Sequence, residues 1–212
     1  MSSKTSLLPS LEFEKTLGTR FIIGLDEVGR GCIAGPVMVG AAVIDLAKEI
    51  QWPKNLKDSK LLSEKSREAL IPELQAFVAS YSVGSGTVEE IEQFGIMQAM
   101  ALAARRALDE LDAFYDCTVV LDGNVNYLAE LKLASPVVTK VKADQECVSV
   151  AAASVLAKVT RDRIMLDLAQ VHDGYDLASN KGYASAKHRS ALLDRGPSPI
   201  HRISWLGKIL QG

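Results

Sequence analysis

Short apolar runs alternate with longer amphipathic stretches along this chain, a pattern that predicts strands exchanged with helices. Residues 20–28 open on Arg-Phe-Ile-Ile and end before a cluster of glycines, so they read as a buried strand ending at Val28. Residues 37–44 form a second run, short enough for a strand and close enough to pair antiparallel with the first. After a polar loop through Trp52-Pro53, Ser63 N-caps a helix expected to reach about Ser80, kinked at Pro72 because proline lacks the N–H the interior needs. Residues 81–86 alternate like a third strand, and Thr87-Val88-Glu89-Glu90 spells a capping box for a short helix ending near Gly95. From Ile96 to Leu111 apolar residues recur at helical spacing, as in a core-packing helix. Residues 118–121 and 136–141 are the fourth and fifth strands. The small residues of 148–158 allow a helix to lie very close to a sheet, and its continuation runs to Val171.

Five strands among helices predict an α/β fold with a mixed five-stranded sheet flanked by helices and a helical C-terminal region. A single domain over 20–212 is expected, with 1–19 as an N-terminal extension. With 212 residues, 48% of them hydrophobic and 24% charged, the chain suffices for one well-buried core. It has no apolar run of signal-peptide or membrane-span length, which predicts a cytoplasmic protein without a membrane partner. Cys32, Cys117 and Cys147 share no C-x-x-C spacing and read as reduced apolar fillers rather than a zinc site. The net charge of −2 is unevenly spread. Residues 1–139 carry 13 Lys+Arg against 19 Asp+Glu, and residues 140–212 carry 11 against 7, so the C-terminal third could track phosphates.

The chemistry concentrates where strands end. The first delivers Asp26 and Glu27 ahead of Gly29-Arg30-Gly31, the fourth runs into Asp122-Gly123, and the fifth is followed by Asp144. A glycine-rich turn after a strand is by itself only a turn, but a carboxylate inside an apolar strand costs several kcal/mol unless it is paired or bound to metal. Successive side chains on a strand point to opposite faces, so Asp26 and Glu27 reach one ligand only if a bulge or the strand end re-aims one of them. Carboxylates gathered at a sheet edge raise one another's pKa unless a cation neutralises them, and oxygen-only ligands favour Mg²⁺ or Mn²⁺. Two such ions about 4 Å apart suit phosphodiester hydrolysis. Lys57-Asp58-Ser59-Lys60 is a small basic cluster that could meet a phosphate through Lys60. The tail, from Gly174-Tyr175 through Lys181-Gly182-Tyr183, Lys187-His188-Arg189 and the 196–202 stretch, interleaves glycine, rings and bases in a way that suits sugar and phosphate contacts. Lys158, Arg161, Lys181 and Arg202 are the candidates for phosphate contact. A phosphate-cradling nucleotide hydrolase would need Gly-x-x-x-x-Gly-Lys-Ser/Thr, which the loop lacks. A nucleic-acid-binding module without catalysis would fit better had a carboxylate been lost.

Taken in order, Gly24 to Gly31 with Ala34-Gly35-Pro36, Asp58-Ser59-Lys60, Leu121-Asp122-Gly123, Lys142-Ala143-Asp144, the 151–159 stretch with Arg161-Asp162, Lys181-Gly182-Tyr183 and Gly196-Pro197-Ser198-Pro199 resemble type 2 ribonuclease H, ribonuclease HII. Each piece is weak alone; the ordered set, spanning about residues 20–206, is specific. The resemblance implies an RNase H-like fold and a four-carboxylate metal site that maps onto Asp26, Glu27, Asp122 and Asp144. It implies Mg²⁺- or Mn²⁺-dependent endonucleolytic cutting of RNA in RNA–DNA hybrids, and cutting 5′ of a lone ribonucleotide in duplex DNA to leave 3′-hydroxyl and 5′-phosphate ends, with a role in ribonucleotide removal. It also implies that Gly29, Arg30, Gly31 and Tyr183 recognise the ribonucleotide. Ala143 stands where bacterial relatives often carry glycine. No convincing sliding-clamp motif follows Trp205, and a monomer is expected.

Overall fold

The computed structural model describes residues 8–49, 51–112 and 114–211. Its strands are β1 (Phe21–Val28), β2 (Val37–Asp45), β3 (Ser80–Gly86), β4 (Cys117–Asp122) and β5 (Val137–Lys140), in the order β3-β2-β1-β4-β5. The helices are α1 (Glu12–Lys15), α2 (Glu64–Phe77), α3 (Val88–Phe94), α4 (Ile96–Asp109), α5 (Ala143–Glu146), α6 (Val148–Val171), α7 (Leu177–Asn180), α8 (Ala186–Arg195) and α9 (Gly207–Leu210). β1, β2 and β3 pair antiparallel, whereas β1–β4 and β4–β5 are parallel, so the sheet is mixed as expected.

The period of two along each strand sorts the core into two layers. Ile22 and Val120 pack with Val150, and Ala42 and Ile44 with Val148, Ala152 and Val155, which makes one face of the sheet the α6 face. Ile23, Leu25, Val119 and Leu121 pack instead with Ala103, Ala104 and Ala107 of α4. Both helices approach the sheet closely because the strands offer glycine where the helices offer alanine and serine. A Cβ on Gly24 would collide with the backbone of Ser149 in α6, and one on Gly84 with the Ala103 carbonyl in α4. Backbone cannot step aside as a flexible side chain does. Gly24→Ala is therefore expected to cost about 2–3 kcal/mol of stability, read by urea unfolding. An unchanged midpoint would mean that α6 rides higher on the sheet than described.

Two expectations are adjusted. The second helix stops at Phe77 rather than near Ser80, because the Ala79 N–H joins the Val43 carbonyl at 2.8 Å and the chain turns directly into the edge strand. Pro72 lies within that helix. The described part of the 1–19 stretch also packs onto the core. Ser10 bridges to Cys147, and the fully buried Glu14 accepts hydrogen bonds from both the Ser149 N–H and the Ser149 hydroxyl at 3.1 Å. Burial raises the Glu14 pKa, and the hydrogen bonds from Ser149 partly offset it.

The C-terminal region forms its own small core, in which Tyr175, Leu177, Leu192 and Leu206 surround Ile33, Ala34 and Met165. That core presses the β1–β2 connection against the end of the sheet. All three cysteines are free and buried.

Candidate active site

β1 and β4 run parallel and end at the same edge of the sheet. Leu25 pairs with Leu121, so Asp26 and Asp122 are the next residues on adjacent strands and share the α6 face. Asp122 then accepts the Ala143 N–H at 2.7 Å and the Asp144 N–H at 3.4 Å through one carboxylate oxygen. Those bonds, with Lys142 in the left-handed region at φ 61°, fold the chain after β5 back towards β4 and bring Asp144 to the edge. Glu27 leaves β1 on the α4 face and is held at the strand end by Arg30, 3.3 Å away. The structure thus brings Asp26, Asp122 and Asp144 together on one face, with Glu27 at the rim.

Asp26 is only 3% exposed, and burial raises its pKa well above the usual carboxylate range; the Ser154 hydroxyl opposes the shift, while the charges of Glu27 and Asp122 add to it. Burial also raises Asp122, and Asp144 adds to that. A fifth carboxylate, which the sequence did not single out, stands beside them. Asp58 is buried, accepts the Lys60 N–H at 3.0 Å, and is raised first by burial and further by Asp144. The sequence offers Asp58 only within the Asp58-Ser59-Lys60 motif, which reads through its basic residues, so its carboxylate is not counted with the others.

Lys60 is the cation of this cluster. Its ammonium is 3.2 Å from Asp144 and 4.0 Å from Asp58, and although burial lowers its pKa, Asp26, Asp58 and Asp144 together hold it above the ordinary lysine range. One ammonium does not balance the carboxylates converging here. Among the described residues no three acidic, imidazole or thiol side chains already form a closed cage for an ion. The donor set nevertheless fits hard divalent cations: all ligating atoms are oxygen, and carboxylates that raise one another's pKa are relieved by added positive charge. Asp26, Glu27, Asp122 and Asp144 are the residues that would hold it.

Beside the carboxylates runs the β1–β2 connection. Gly29 adopts φ 82°, and a Cβ there would strike the Arg161 guanidinium, so only glycine fits. Arg161 is fully buried and donates to the carbonyls of Pro36 at 2.9 Å, Lys181 at 2.8 Å and Ala34 at 3.1 Å. Arg202, equally buried, donates to Gly29 at 2.7 Å, Arg30 at 2.9 Å and Gly35 at 3.0 Å. Burial lowers its pKa to about 10, which leaves it charged at neutral pH.

The expected phosphate contacts of Arg161 and Arg202 are therefore corrected. Their donors are spent on loop carbonyls because the connection has no partner strand to satisfy them. Lys158 gives its ammonium to Asp162 at 2.7 Å, and Lys181, 8% exposed, gives its to the Ala178 carbonyl at 2.7 Å. The Lys181 ammonium also lies 3.8 Å from the Glu64 carboxylate, so each of the two lysines already faces an acid. Asp162 is shared with Arg67, which also donates to the Ser59 and Leu62 carbonyls and so ties the 59–62 segment, Lys60 included, to α6. Charge counting by thirds of the chain could not separate solvated bases from buried ones.

Arg30 is exposed and Gly31 faces open space. Tyr183 is 45% exposed beside the same loop; its pKa is raised by burial first and by Cys32 next. The loop and the ring are brought together through Gly182, whose carbonyl accepts the Ile33 N–H at 2.9 Å. Tyr127, also missed, has its hydroxyl buried with no hydrogen-bond partner among the described residues, and burial with the charge of Glu27 raises its pKa.

Asp144→Asn separates two roles, since an acid in the first turn of a short helix also favours its N-terminus. Cleavage should be lost while the melting temperature shifts by only about 1–2 °C. A large stability loss with activity preserved would make the residue a cap.

A family model described as Ribonuclease HII matches residues 23–208. A ribonuclease HII of Streptomyces avermitilis is 48% identical over 192 residues, which cover 90% of this chain and 78% of that protein. The crystal structure of the ribonuclease H2 from Pyrococcus horikoshii OT3 superposes with a TM-score of 0.72 at 29% identity, covering 90% of this chain and 97% of that one. The structure of Bst-RNase HIII in complex with Mn²⁺ gives a TM-score of 0.72 at 23% identity over 96% of this chain and 72% of the other, a likeness of fold.

Proposed function

The chain belongs to the ribonuclease HII family and is a type 2 ribonuclease H, an endonuclease; from that premise we propose that it cuts the RNA strand of RNA–DNA hybrids and incises duplex DNA 5′ of a single embedded ribonucleotide. The observation that carries the reading is the convergence of Asp26 and Asp122, at the ends of adjacent parallel strands, with Asp144 of the short helix α5, the Gly29–Gly31 loop and an exposed tyrosine lying alongside. Divalent cations, when bound, activate a water and stabilise the leaving 3′-oxygen. In this reading the four carboxylates of Asp26, Glu27, Asp122 and Asp144 hold the charge that such cations balance. Lys60 steadies Asp144 from the solvent side. The open backbone at Gly31 approaches the 2′-hydroxyl, and the Tyr183 ring packs on the adjacent sugar, so ribose is told from deoxyribose without reading bases. Such an activity would remove ribonucleotides from DNA. No described helix is long and apolar enough to cross a membrane.

Tyr183→Ala tests the recognition half. Losing one stacking ring should lower cleavage of a single-ribonucleotide duplex about ten- to hundredfold while leaving plain-duplex binding within about twofold. Unchanged cleavage would remove Tyr183 from junction sensing. Equal loss of plain-duplex binding would reassign the ring to general docking.

A further inference from the structure

Two of the chain's three histidines, His188 and His201, are fully buried and take no part in the site so far described. Their Nε2 atoms are 3.0 Å apart, a distance that requires one proton between them. The remaining contacts fix where it sits. The Ser198 N–H, which can only donate, points at His201 Nδ1 at 3.0 Å, where the Ser198 hydroxyl also lies at 3.0 Å and can donate; the Ser198 carbonyl, at 3.2 Å from the same nitrogen, is the longer contact and already accepts the backbone N–H of His201. His201 Nδ1 is thus an acceptor, and its proton is on Nε2. His188 Nδ1 lies 2.8 Å from the Tyr183 carbonyl, which can only accept, so His188 carries its proton on Nδ1 and receives the bond from His201. The result is one directed chain from Ser198 through His201 and His188 to Tyr183. Burial lowers both pKa values, His201 to about 4, which keeps both rings neutral near pH 7.

This chain meets the recognition surface at Tyr183 and lies next in sequence to the arginine that holds the loop. At one end the Tyr183 carbonyl accepts from both His188 and the Ser185 N–H, which immobilises the peptide that carries the ring. At the other, His201 is followed by Arg202, whose guanidinium grips the Gly29 and Arg30 carbonyls, and is preceded by Ile200, whose carbonyl holds the Gly35 N–H at 2.8 Å. Tyr175 packs over His201 with ring centroids 4.6 Å apart and closes the pair off from solvent.

We propose that His188 is a positioning residue for ribonucleotide recognition: its donation to the Tyr183 carbonyl holds the peptide that carries the ring, and His201 sets the tautomer that lets it donate. The inference rests on the reading of Tyr183 as the sugar-sensing ring. His188→Leu removes the donor to Tyr183 and should lower kcat on a single-ribonucleotide duplex about tenfold, with KM and plain-duplex binding within about twofold. His188→Asn places an amide N–H near the Nδ1 position and should restore kcat to within about threefold of wild type, although the link to His201 is gone. A merely structural histidine would not be rescued in this way.

Tyr183→Ala in the same assay separates the inference from the reading beneath it. If that variant cleaves normally, the sugar-sensing role fails and the histidine pair loses its purpose with it. If it is impaired while folded His188→Leu matches wild type, or while His188→Asn stays as slow as His188→Leu, the inference fails and the reading of Tyr183 stands. Should His188→Leu not fold, nitrogen-15 NMR of the wild-type imidazoles at pH 7 decides: Nδ1–H at His188 and Nε2–H at His201 are expected, and the reverse tautomers would overturn the chain.

Discussion

Asp26→Asn should reduce cleavage roughly a thousandfold or more while raising the stability of the metal-free protein. The activity loss follows from the place of Asp26, which is buried beside Asp122 on the central strand and whose charge an amide of the same shape cannot supply. The stability gain follows from linkage. Burial, with Glu27 and Asp122 adding to it, raises the folded pKa of Asp26, so the native state binds this proton more tightly than the unfolded chain. Its contribution favours folding at low pH and is lost as pH rises from the ordinary carboxylate range through the raised native value. Asparagine has no proton to lose. With a chelator present, the variant should melt above wild type at pH 8, and the gap should close towards pH 4. Added Mg²⁺ should stabilise the wild type more than the variant, because only the wild type keeps the full set of carboxylates. A variant that melts lower at every pH would make Asp26 a structural residue.

Arg161→Met should cost about 3–5 kcal/mol of stability. Methionine fills much of the volume but leaves the carbonyls of Pro36, Ala34 and Lys181 without this donor, and the contacts to Ala34 and Lys181 are buried where solvent does not replace it. The β1–β2 connection would then open, exposing 29–36 to limited proteolysis and slowing cleavage through loss of the recognition loop. A residue that contacts phosphate behaves differently: its removal lowers duplex affinity, flattens the salt dependence and leaves the unfolding midpoint in place. Urea unfolding and salt-dependent binding of one variant therefore distinguish the two roles. An unchanged midpoint with a reduced salt slope would restore Arg161 to the phosphate-binding surface.

What the sequence could and could not show divides along a physical line. Short apolar runs marked β1, β2 and β4, and a stretch of small residues marked the long α6, so these were legible, as was the capping box at Thr87, where both reciprocal hydrogen bonds form. The strand-end carboxylates were legible for the same reason, since an acid inside an apolar run is an anomaly that needs a cause. Asp58 was not, because its burial comes from Arg67 and α6 folding over a segment that is polar in sequence. Arg161 and Arg202 misled for the converse reason. An arginine in a helix or a loop looks solvated until its distant partner carbonyls are seen, Ala34 for Arg161 and Gly29 for Arg202, each more than 100 residues away in the chain. Glu14 belongs to the same class, since its partner Ser149 is set by a tertiary contact that no window of sequence contains.

The most direct test of the central claim is to map the products formed from a DNA duplex carrying one ribonucleotide, with Mg²⁺ and then with excess chelator. The account predicts a single incision on the 5′ side of the ribonucleotide, leaving 3′-hydroxyl and 5′-phosphate ends, abolished by the chelator and by Asp26→Asn. Cleavage of the all-DNA duplex at a comparable rate, or incision that persists without divalent cations, would contradict it.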